Sequence, residues 1–413
     1  MTMYCYFISV LVLIIPTVIS NSNSNINLHG LTADGWEYVK DYLTENIIEE
    51  RDLGASISIY YEGKVVVDLT AGWFDKTKTV PYDNQTLQLV FSTTKGLTGI
   101  AVALCVQRGL LNYSSLVTDY WPEYGQSGKA NTTVADILSH RAGLPLDNSS
   151  FEQYYNWSSM VHKLEKETPL WAPGTAHGYH PLTFGWLAGE LVRRVDHLNR
   201  SLGEFIRDEI TGPLDIEFYV GLPKENEYRV SPLDFGLNHS SSEQYDAFNQ
   251  QSTHEAEIPA GNGITNARSV AKLYASLFND MVDNKYKRLL NEDILKEATK
   301  SNTPVNEIDL VLNVTSVFSK GFLLMDQAFP ELGPGSFGYS GIGGSIGFAV
   351  PKKKLSFAYV MNRIDTAIPV DVDIRYKSLI KEIAKKLNKN NSLSVRLSTS
   401  VFVLSIIYSF VSL

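Results

Sequence analysis

The amino-acid sequence predicts an α+β fold in which an antiparallel sheet, built from the two ends of one domain, is flanked by helices. Two observations predict the sheet: a β-hairpin pattern at residues 55–73 and a second one at residues 344–361. A third observation is the apolar spacing between about residues 116 and 268, which is mostly helical. We therefore expect one domain, residues 33–387, with an all-helical subdomain inserted into the sheet.

The first part of this domain alternates between helical and strand patterns. Helical spacing covers residues 33–50, and the first hairpin turns at Glu62-Gly63-Lys64. A short apolar run, Leu89-Val90-Phe91, then leads into a helix of small residues that ends near Gly109.

Strand patterns return after the helical insertion. Two short strands are predicted at residues 321–325 and 336–340. The second hairpin pairs residues 344–350 with 355–361, and an amphipathic helix over 371–387 closes the domain. Because these strands and the first hairpin lie at opposite ends of the domain, the sheet requires its two ends to meet.

Both termini carry patterns typical of targeting segments. Residues 1–20 read as a secretory signal peptide, with an uncleaved anchor as the alternative, and residues 21–32 as a flexible start. A polar spacer, residues 388–400, precedes a hydrophobic tail at 401–413. Small residues, a spacer and an apolar tail form the signal for a GPI anchor. Cleavage near 390–392 is one interpretation, and a tail-anchored or loosely packed C-terminus is the other.

Acceptor sites for N-linked glycans are frequent. Nine asparagines begin an Asn-x-Ser/Thr sequon without proline: Asn84, Asn112, Asn131, Asn148, Asn156, Asn199, Asn238, Asn313 and Asn390. Their density, together with the leader, predicts passage through the secretory pathway of a eukaryote and a secreted or surface-anchored glycoprotein.

Composition narrows the function classes. The 413 residues have a hydrophobic fraction of 44% and a net charge of −9, and no basic face indicates nucleic-acid binding. The two cysteines are Cys5 in the leader and Cys105 in the small-residue helix, so we expect no disulfide and an inert, buried Cys105. No cluster of Cys and His predicts a metal site, and no cofactor is expected.

The stretch Phe91-Ser92-Thr93-Thr94-Lys95 suggests nucleophilic chemistry. Residues three apart share a helix face, so Ser92 and Lys95 are expected to lie side by side. A serine needs a neighbouring base, and a lysine serves when burial lowers its pKa. The same spacing recurs at Ser269–Lys272 and Ser378–Lys381 inside amphipathic helices, where we expect solvated faces. The spacing by itself is therefore weak evidence.

Four segments together resemble the serine β-lactamase-like superfamily, which includes class C β-lactamases, penicillin-recognising DD-peptidases and related esterases. They are Phe91–Gly96, the Leu138-Ser139-His140-Arg141-Ala142-Gly143-Leu144 segment, Trp171–His180, and Gly341–Phe348. The resemblance extends over about residues 53–363 in the family's order. It implies a β-lactamase/transpeptidase-like fold and acyl-serine chemistry.

The resemblance also implies roles for individual residues. Ser92 matches the nucleophile, Lys95 its proton relay and Tyr179 the family's tyrosine base, while the backbone N–H groups of Ser92 and Ile342 match the oxyanion hole. Substrate-binding positions carried over from the same boxes are Tyr339, Ser340, Gly341 and His180. Without the resemblance, Tyr179 reads as an aromatic residue ahead of an apolar helix stripe. His180 and His140 read as loop braces.

Two departures from the family pattern shift the expected substrate. Tyr179-His180-Pro181 lacks the asparagine of the β-lactamase second box, and Tyr339-Ser340-Gly341 lacks the lysine of the third. A lysine there attracts a substrate carboxylate, so its absence favours an esterase, with Tyr339 orienting an ester. The partner is expected to be a small ester or a peptide. A serine peptidase and a catalytically weak binding protein remain as alternatives, and the oligomeric state stays open.

Overall fold

A computed structural model describes residues 26–235, 243–280, 287–365 and 373–389. Its main feature is a seven-stranded sheet in the order β1-β3-β2-β10-β9-β8-β7, in which every neighbouring pair is antiparallel. The strands are β1 (His29–Thr32), β2 (Gly54–Tyr61), β3 (Lys64–Gly72), β4 (Gln88–Leu89), β5 (Phe218–Tyr219), β6 (Ile264–Thr265), β7 (Leu323–Leu324), β8 (Phe337–Ser340), β9 (Ile346–Val350) and β10 (Leu355–Met361).

The two ends of the domain meet between β2 and β10. These strands pair from Leu355 opposite Tyr61 to Met361 opposite Ala55, so the first hairpin joins the second edge to edge. The α+β fold predicted from the two hairpins is confirmed, and the β2–β3 and β9–β10 turns fall where the sequence placed them.

Helices cover both faces of this sheet. Their bounds are α1 (Tyr38–Ile48), α2 (Thr94–Gln107), α3 (Val134–Leu138), α4 (Phe151–Tyr154), α5 (Trp157–Lys166), α6 (Thr183–Val195), α7 (Leu202–Ile206), α8 (Gly212–Leu214), α9 (Glu243–Asp246), α10 (Gln251–Glu255), α11 (Ala267–Ala275), α12 (Glu292–Ala298) and α13, residues 377–389. Apolar side chains of α1 and α13 pack on one face of the sheet. The helices α2 and α11 pack on the other, where they share a core with the inserted lobe from α3 to α10.

Helix α2 is buried on all sides, which explains its small residues. Twelve of its fourteen residues, from Thr94 to Cys105, are buried. At Gly99 a Cβ atom would stand 2.5 Å from the carbonyl oxygen of Gly321, so the two backbones touch there. Burial raises the pKa of the Cys105 thiol to about 12, and this cysteine is free, as predicted.

Three features differ from the sequence expectations. The end of the segment expected to be flexible, residues 21–32, forms strand β1, because polar and small residues there pair through the backbone with β3 without needing an apolar pattern. Helix α1 is shorter than predicted. A second sheet, β4-β6-β5, was missed because strands of two residues leave no periodicity to read.

The terminal segments fall outside the described residues. The expected leader at 1–20, most of the spacer at 388–400 and the whole tail at 401–413 are not described. Over the described part of the chain, no helix combines the length and the apolar character needed to cross a membrane.

Candidate active site

Ser92 lies at a sharp turn between the small sheet and the buried helix. Strand β4 ends at Leu89, a 3₁₀ turn covers Phe91–Thr93, and α2 starts at Thr94. Phe91 has a φ of +45°, which is uncommon for a residue with a side chain and marks a strained backbone position. The turn leaves Ser92 partly exposed while Phe91 and Thr93 are buried.

Neighbouring segments hold this turn in place. A Cβ atom at Gly341 would stand 2.2 Å from the carbonyl oxygen of Val90, so only glycine allows the end of β8 to approach so closely. Thr93 donates from Oγ1 to the carbonyl of Ser345 at 2.9 Å. The Phe91 ring packs edge-on against Phe248, with centroids 5.1 Å apart. These contacts stabilise the strained residue beside the serine.

The three residues predicted to be catalytic meet around one oxygen atom. Lys95 Nζ lies 2.9 Å from Ser92 Oγ, and the Tyr179 hydroxyl donates to the same Oγ at 2.7 Å. The lysine nitrogen is also 4.8 Å from the centre of the Tyr179 ring. A nucleophile within hydrogen-bond reach of two proton-transfer groups is the arrangement that covalent catalysis requires.

Lys95 is buried and bonded to carbonyl groups rather than to a carboxylate. Its Nζ donates to the carbonyl oxygens of Pro181 at 2.7 Å and Ala260 at 2.9 Å. Burial lowers the pKa of this ammonium group well below its ordinary value. The two carbonyls take two N–H bonds, so the third direction, toward Ser92, holds either a lone pair or a proton. Lys95 can therefore accept the serine proton without moving.

Tyr179 is expected to be a neutral phenol at rest. Burial raises its pKa, the hydrogen bond with Ser92 lowers it, and the negative charge of Asp309 raises it further; the net shift is upward. With Tyr179 protonated and Lys95 neutral, the phenol donates to Ser92 and the serine donates to the amine. In this state Lys95 and Tyr179 together carry one transferable proton, which lies on the phenol of Tyr179.

Two buried histidines and a buried tyrosine, His180, His140 and Tyr339, form a hydrogen-bonded chain behind the site. His180 Nε2 accepts the Leu144 N–H at 2.9 Å and its Nδ1 lies 2.6 Å from the carbonyl oxygen of Gly178, so Nδ1 carries the proton. His140 Nδ1 accepts the His180 N–H at 3.0 Å, which leaves a proton on Nε2, 2.8 Å from the Tyr339 hydroxyl. We assign both tautomers from these partners.

This chain revises two of the substrate-binding expectations. His180 is fully buried and both ring nitrogens are engaged by the backbone, which makes it the loop brace rather than a substrate ligand. Burial lowers its pKa to about 4, so the ring is neutral. Tyr339 is 1% exposed and its hydroxyl is bonded to His140, so the phenol lies beneath the site and not at its surface.

One of the two predicted oxyanion-hole donors, the Ile342 N–H, lies on the loop after β8. Ser340 is partly exposed, Gly341 is buried, and Ile342 is 39% exposed at the edge of the site. Within the part of the chain that the structure describes, the Ile342 N–H has no hydrogen-bond acceptor. This donor is available next to the serine turn, and its pairing with the Ser92 N–H remains a prediction.

Sequence reasoning missed a carboxylate that bonds to the backbone of Tyr179. Asp309 accepts the Tyr179 N–H at 3.0 and 3.1 Å through its two oxygens. It lies in the hairpin 308–315, whose aliphatic side chains are largely exposed, with Leu310 at 59%. The signal was a single acidic residue inside the aliphatic run Ile308-Asp309-Leu310-Val311-Leu312. The Pro181 and Ala260 carbonyls gave no sequence signal at all.

The two other Ser-x-x-Lys spacings do not form comparable sites. Ser269 is buried, contrary to expectation, because its Oγ accepts the Glu217 N–H at 3.0 Å. Ser378 and Lys381 are exposed on α13, as predicted. Only the motif at Ser92 is joined by a tyrosine hydroxyl among the described residues.

Comparison with known proteins adds sequence and fold relatives. A family model described as Beta-lactamase matches residues 39–380. The chain is 31% identical over 340 residues to the esterase/beta-lactamase LipL of Mycobacterium tuberculosis, covering 75% of this chain and 77% of that protein. The range matched by the family model contains the serine turn, the tyrosine segment and the third box.

Solved structures agree with the sequence matches. A family VIII carboxylesterase superposes with a TM-score of 0.79 at 33% identity, covering 88% of this chain and all (100%) of that one. A penicillin-binding protein homologue from Caulobacter crescentus gives a TM-score of 0.74 at 33% identity, covering 85% of this chain and 98% of that one. The sheet and its helical lobe are thus a known architecture that carries both names.

Proposed function

The chain belongs to the Beta-lactamase family, and from that premise we propose that it hydrolyses small esters through an acyl-Ser92 intermediate with Lys95 and Tyr179 as its base system. Similarity to esterase-named proteins supports a serine hydrolase in which the esterase branch is favoured. The observation that supports the base system is the convergence of the lysine amine and the tyrosine hydroxyl on Ser92 Oγ, at 2.9 and 2.7 Å.

The proton path follows from the resting arrangement. As Ser92 attacks the ester carbonyl, its proton passes to the neutral Lys95 amine, whose other two N–H groups already bond to carbonyls. The Tyr179 phenol gives its proton to the departing alkoxide, and the lysine returns one to the tyrosine. Water then attacks the acyl-serine with the same pair as base. The alcohol thus leaves with one proton from the group around Ser92, and the attacking water supplies the proton that restores the serine hydroxyl.

A neutral ester suits the site better than a β-lactam. Recognition of a substrate carboxylate needs a cation, and the third-box position is Tyr339, a buried phenol. Burial raises its pKa well above the ordinary range, so it carries no charge. The nearby hairpin 308–315 exposes aliphatic groups rather than lysines or arginines. These features favour an uncharged acyl ester.

We expect the glycosylated chain to release nitrophenol from a short-chain nitrophenyl ester and to leave a chromogenic β-lactam largely intact. Mass spectrometry of the quenched enzyme should find the acyl group on the peptide that contains Ser92. Turnover without an acylated peptide at that position, under conditions that trap acyl-enzymes, contradicts the mechanism. Preferential β-lactam turnover contradicts the substrate class.

The alternative is a binding protein or peptidase built on the same fold. Ser92 is partly exposed and its two partners are in place, which argues against an inactive binding protein. An active-serine phosphonate separates the two readings without knowledge of the substrate. Labelling without ester turnover favours a peptidase, and absence of labelling favours the binding protein.

The pH profile of kcat/KM should rise from the acid side and stay level in mild alkali. A protonated Lys95 has no lone pair for the serine proton, so activity is lost as the pH falls through the pKa of Lys95, which lies well below 10.5. The raised pKa of Tyr179 keeps its proton available up to at least pH 10. Initial rates across this range, with circular dichroism to verify folding, provide the measurement. An alkaline loss of activity below pH 10 in folded protein contradicts the assignment.

We also propose that the protein is secreted and attached to the outer cell surface through its C-terminal tail. The leader and tail patterns support this, although both lie outside the described residues. Among the described residues are seven sequon asparagines. All seven are exposed, so that a glycan has room: Asn84, Asn112, Asn131, Asn148, Asn156, Asn199 and Asn313. Asn238 and Asn390 are not described.

A further inference from the structure

The carboxylate of Asp309 is fully buried, no lysine or arginine pairs with it among the described residues, and His177 Nε2 lies 3.8 Å from its Oδ2. Burying a charge without such a partner is costly unless hydrogen bonds compensate. Here the charge is held by hydrogen-bond donors on two segments of the chain, and one of those segments carries Tyr179.

The groups that donate hydrogen bonds to Asp309 lie in and just after the hairpin 308–315 and on the backbone of Tyr179. Oδ1 accepts the N–H groups of Val311 and Leu312, each at 2.9 Å, which closes the hairpin tip around the carboxylate. Oδ2 accepts from Ser316 Oγ at 2.9 Å. Both oxygens accept the Tyr179 N–H, at 3.0 and 3.1 Å. One carboxylate therefore joins the hairpin 308–315 to the backbone of Tyr179.

Two further contacts hold the hairpin 308–315 against the segment that carries Tyr179. Leu310 donates its N–H to the carbonyl of His177, two residues before Tyr179, at 3.0 Å. At Gly178 a Cβ atom would stand 3.0 Å from Val311 Cγ2 and 2.7 Å from the Trp171 ring, so glycine is needed for the hairpin to lie this close. The segment 177–179 has no helix or strand of its own to hold it.

We propose that Asp309 is a positioning residue for Tyr179, and that the hairpin 308–315 acts as the support that keeps the tyrosine hydroxyl on Ser92 Oγ. The inference rests on the proposed function, since it assigns a role within that mechanism. Removing the carboxylate frees the Tyr179 N–H, while Gly178 and His180 on either side stay bonded to His140, so we expect the tyrosine to shift without unfolding of the segment. A misplacement of about 1 Å costs about 100-fold in rate.

The test compares three variants of the full glycosylated chain with the wild type on the same nitrophenyl ester. Asp309→Ala removes every acceptor and should lower kcat about 10- to 100-fold with little change in KM. Asp309→Asn keeps an oxygen acceptor and the side-chain shape, so it should recover most of kcat. Asp326→Ala is the matched control, because Asp326 also accepts backbone N–H groups and a serine hydroxyl, from Gly335 and Ser336, but has no contact with Tyr179 among the described residues, and it should behave as the wild type.

A double-variant comparison distinguishes positioning from a merely structural role. If Asp309 acts by placing the Tyr179 hydroxyl on Ser92 Oγ, Asp309→Ala should lower kcat no further once Tyr179→Phe has removed that hydroxyl. A loss in the Tyr179→Phe background as large as in the wild-type background indicates a structural role and overturns the proposal. Asp326→Ala should leave kcat unchanged in both backgrounds.

The outcomes separate this inference from the proposed function. If the wild type turns over no ester and its serine takes no phosphonate, the proposed function itself fails. If the wild type is active and Asp309→Ala keeps kcat within twofold, the positioning role is wrong. If Asp309→Ala does not fold, Asp309→Ser decides, because its hydroxyl oxygen is one bond shorter than the carboxylate, and a kcat within twofold of the wild type overturns the proposal.

Discussion

Replacing Ser92 by alanine should abolish acylation and lower kcat/KM for the nitrophenyl ester by about 10⁴-fold or more. Within the part of the chain that the structure describes, the serine oxygen is the one atom to which both Lys95 Nζ and the Tyr179 hydroxyl are hydrogen-bonded, so its removal leaves the base without a proton to take. Folding should be unaffected because Ser92 is partly exposed and the turn is held by its neighbours. Steady-state kinetics and phosphonate labelling measure the loss.

The matched control is Ser378→Ala. Ser378 starts another Ser-x-x-Lys motif but lies on the exposed side of α13, far in sequence from the site. Its substitution should leave turnover and labelling unchanged. Residual turnover above a tenth of the wild-type rate in Ser92→Ala refutes acyl-Ser92 chemistry, whereas equal losses in both variants indicate damage to the fold.

The strands of the sheet show which elements could be predicted from the local sequence pattern and which could not. Both hairpins were predictable because alternation and turn residues lie within a few positions of each other, as at Glu62-Gly63-Lys64. One sheet that includes both hairpins was predicted, but the pairing of β2 with β10 was not. Strand β1 and the two-residue strands β4, β5 and β6 were not predictable, since backbone pairing decides them and no side-chain period reports it.

The active site divides in the same way. Ser92 and Lys95 are three residues apart on one helix turn, so their contact follows from helix geometry. Tyr179 lies 87 positions from Ser92 in the chain and was found only through resemblance to a family. The Ala260 carbonyl and Asp309 are farther still, at 165 positions from Lys95 and 130 from Tyr179. Contacts of that separation depend on the completed fold.

The carbonyl partners of Lys95 also determine how its substitution should be tested. Truncation to alanine removes the base and leaves the Pro181 and Ala260 oxygens without their donor in a buried place. An unsatisfied buried acceptor costs about 1–3 kcal/mol, so Lys95→Ala should be less stable as well as inactive. Lys95→Met keeps most of the volume and isolates the loss of the proton-transfer group.

Tyr179→Phe and Lys95→Met should each lower kcat/KM about 10³-fold or more, and the double variant should be no worse than the poorer single one. The two groups share one transferable proton around Ser92 Oγ, so removing either member disables the pair, and removing the second takes away nothing further. Tyr228→Phe, at an 80% exposed tyrosine, is the matched control and should keep full activity.

A full double-mutant cycle on one ester measures the coupling. If the losses multiply, Lys95 and Tyr179 act independently, and the shared-proton arrangement is wrong. If Tyr179→Phe retains activity while Lys95→Met loses it, the lysine alone serves as the base and the tyrosine only orients the serine. The acid limb of the pH profile distinguishes these mechanisms further, because it belongs to Lys95 and should persist in Tyr179→Phe at whatever rate remains.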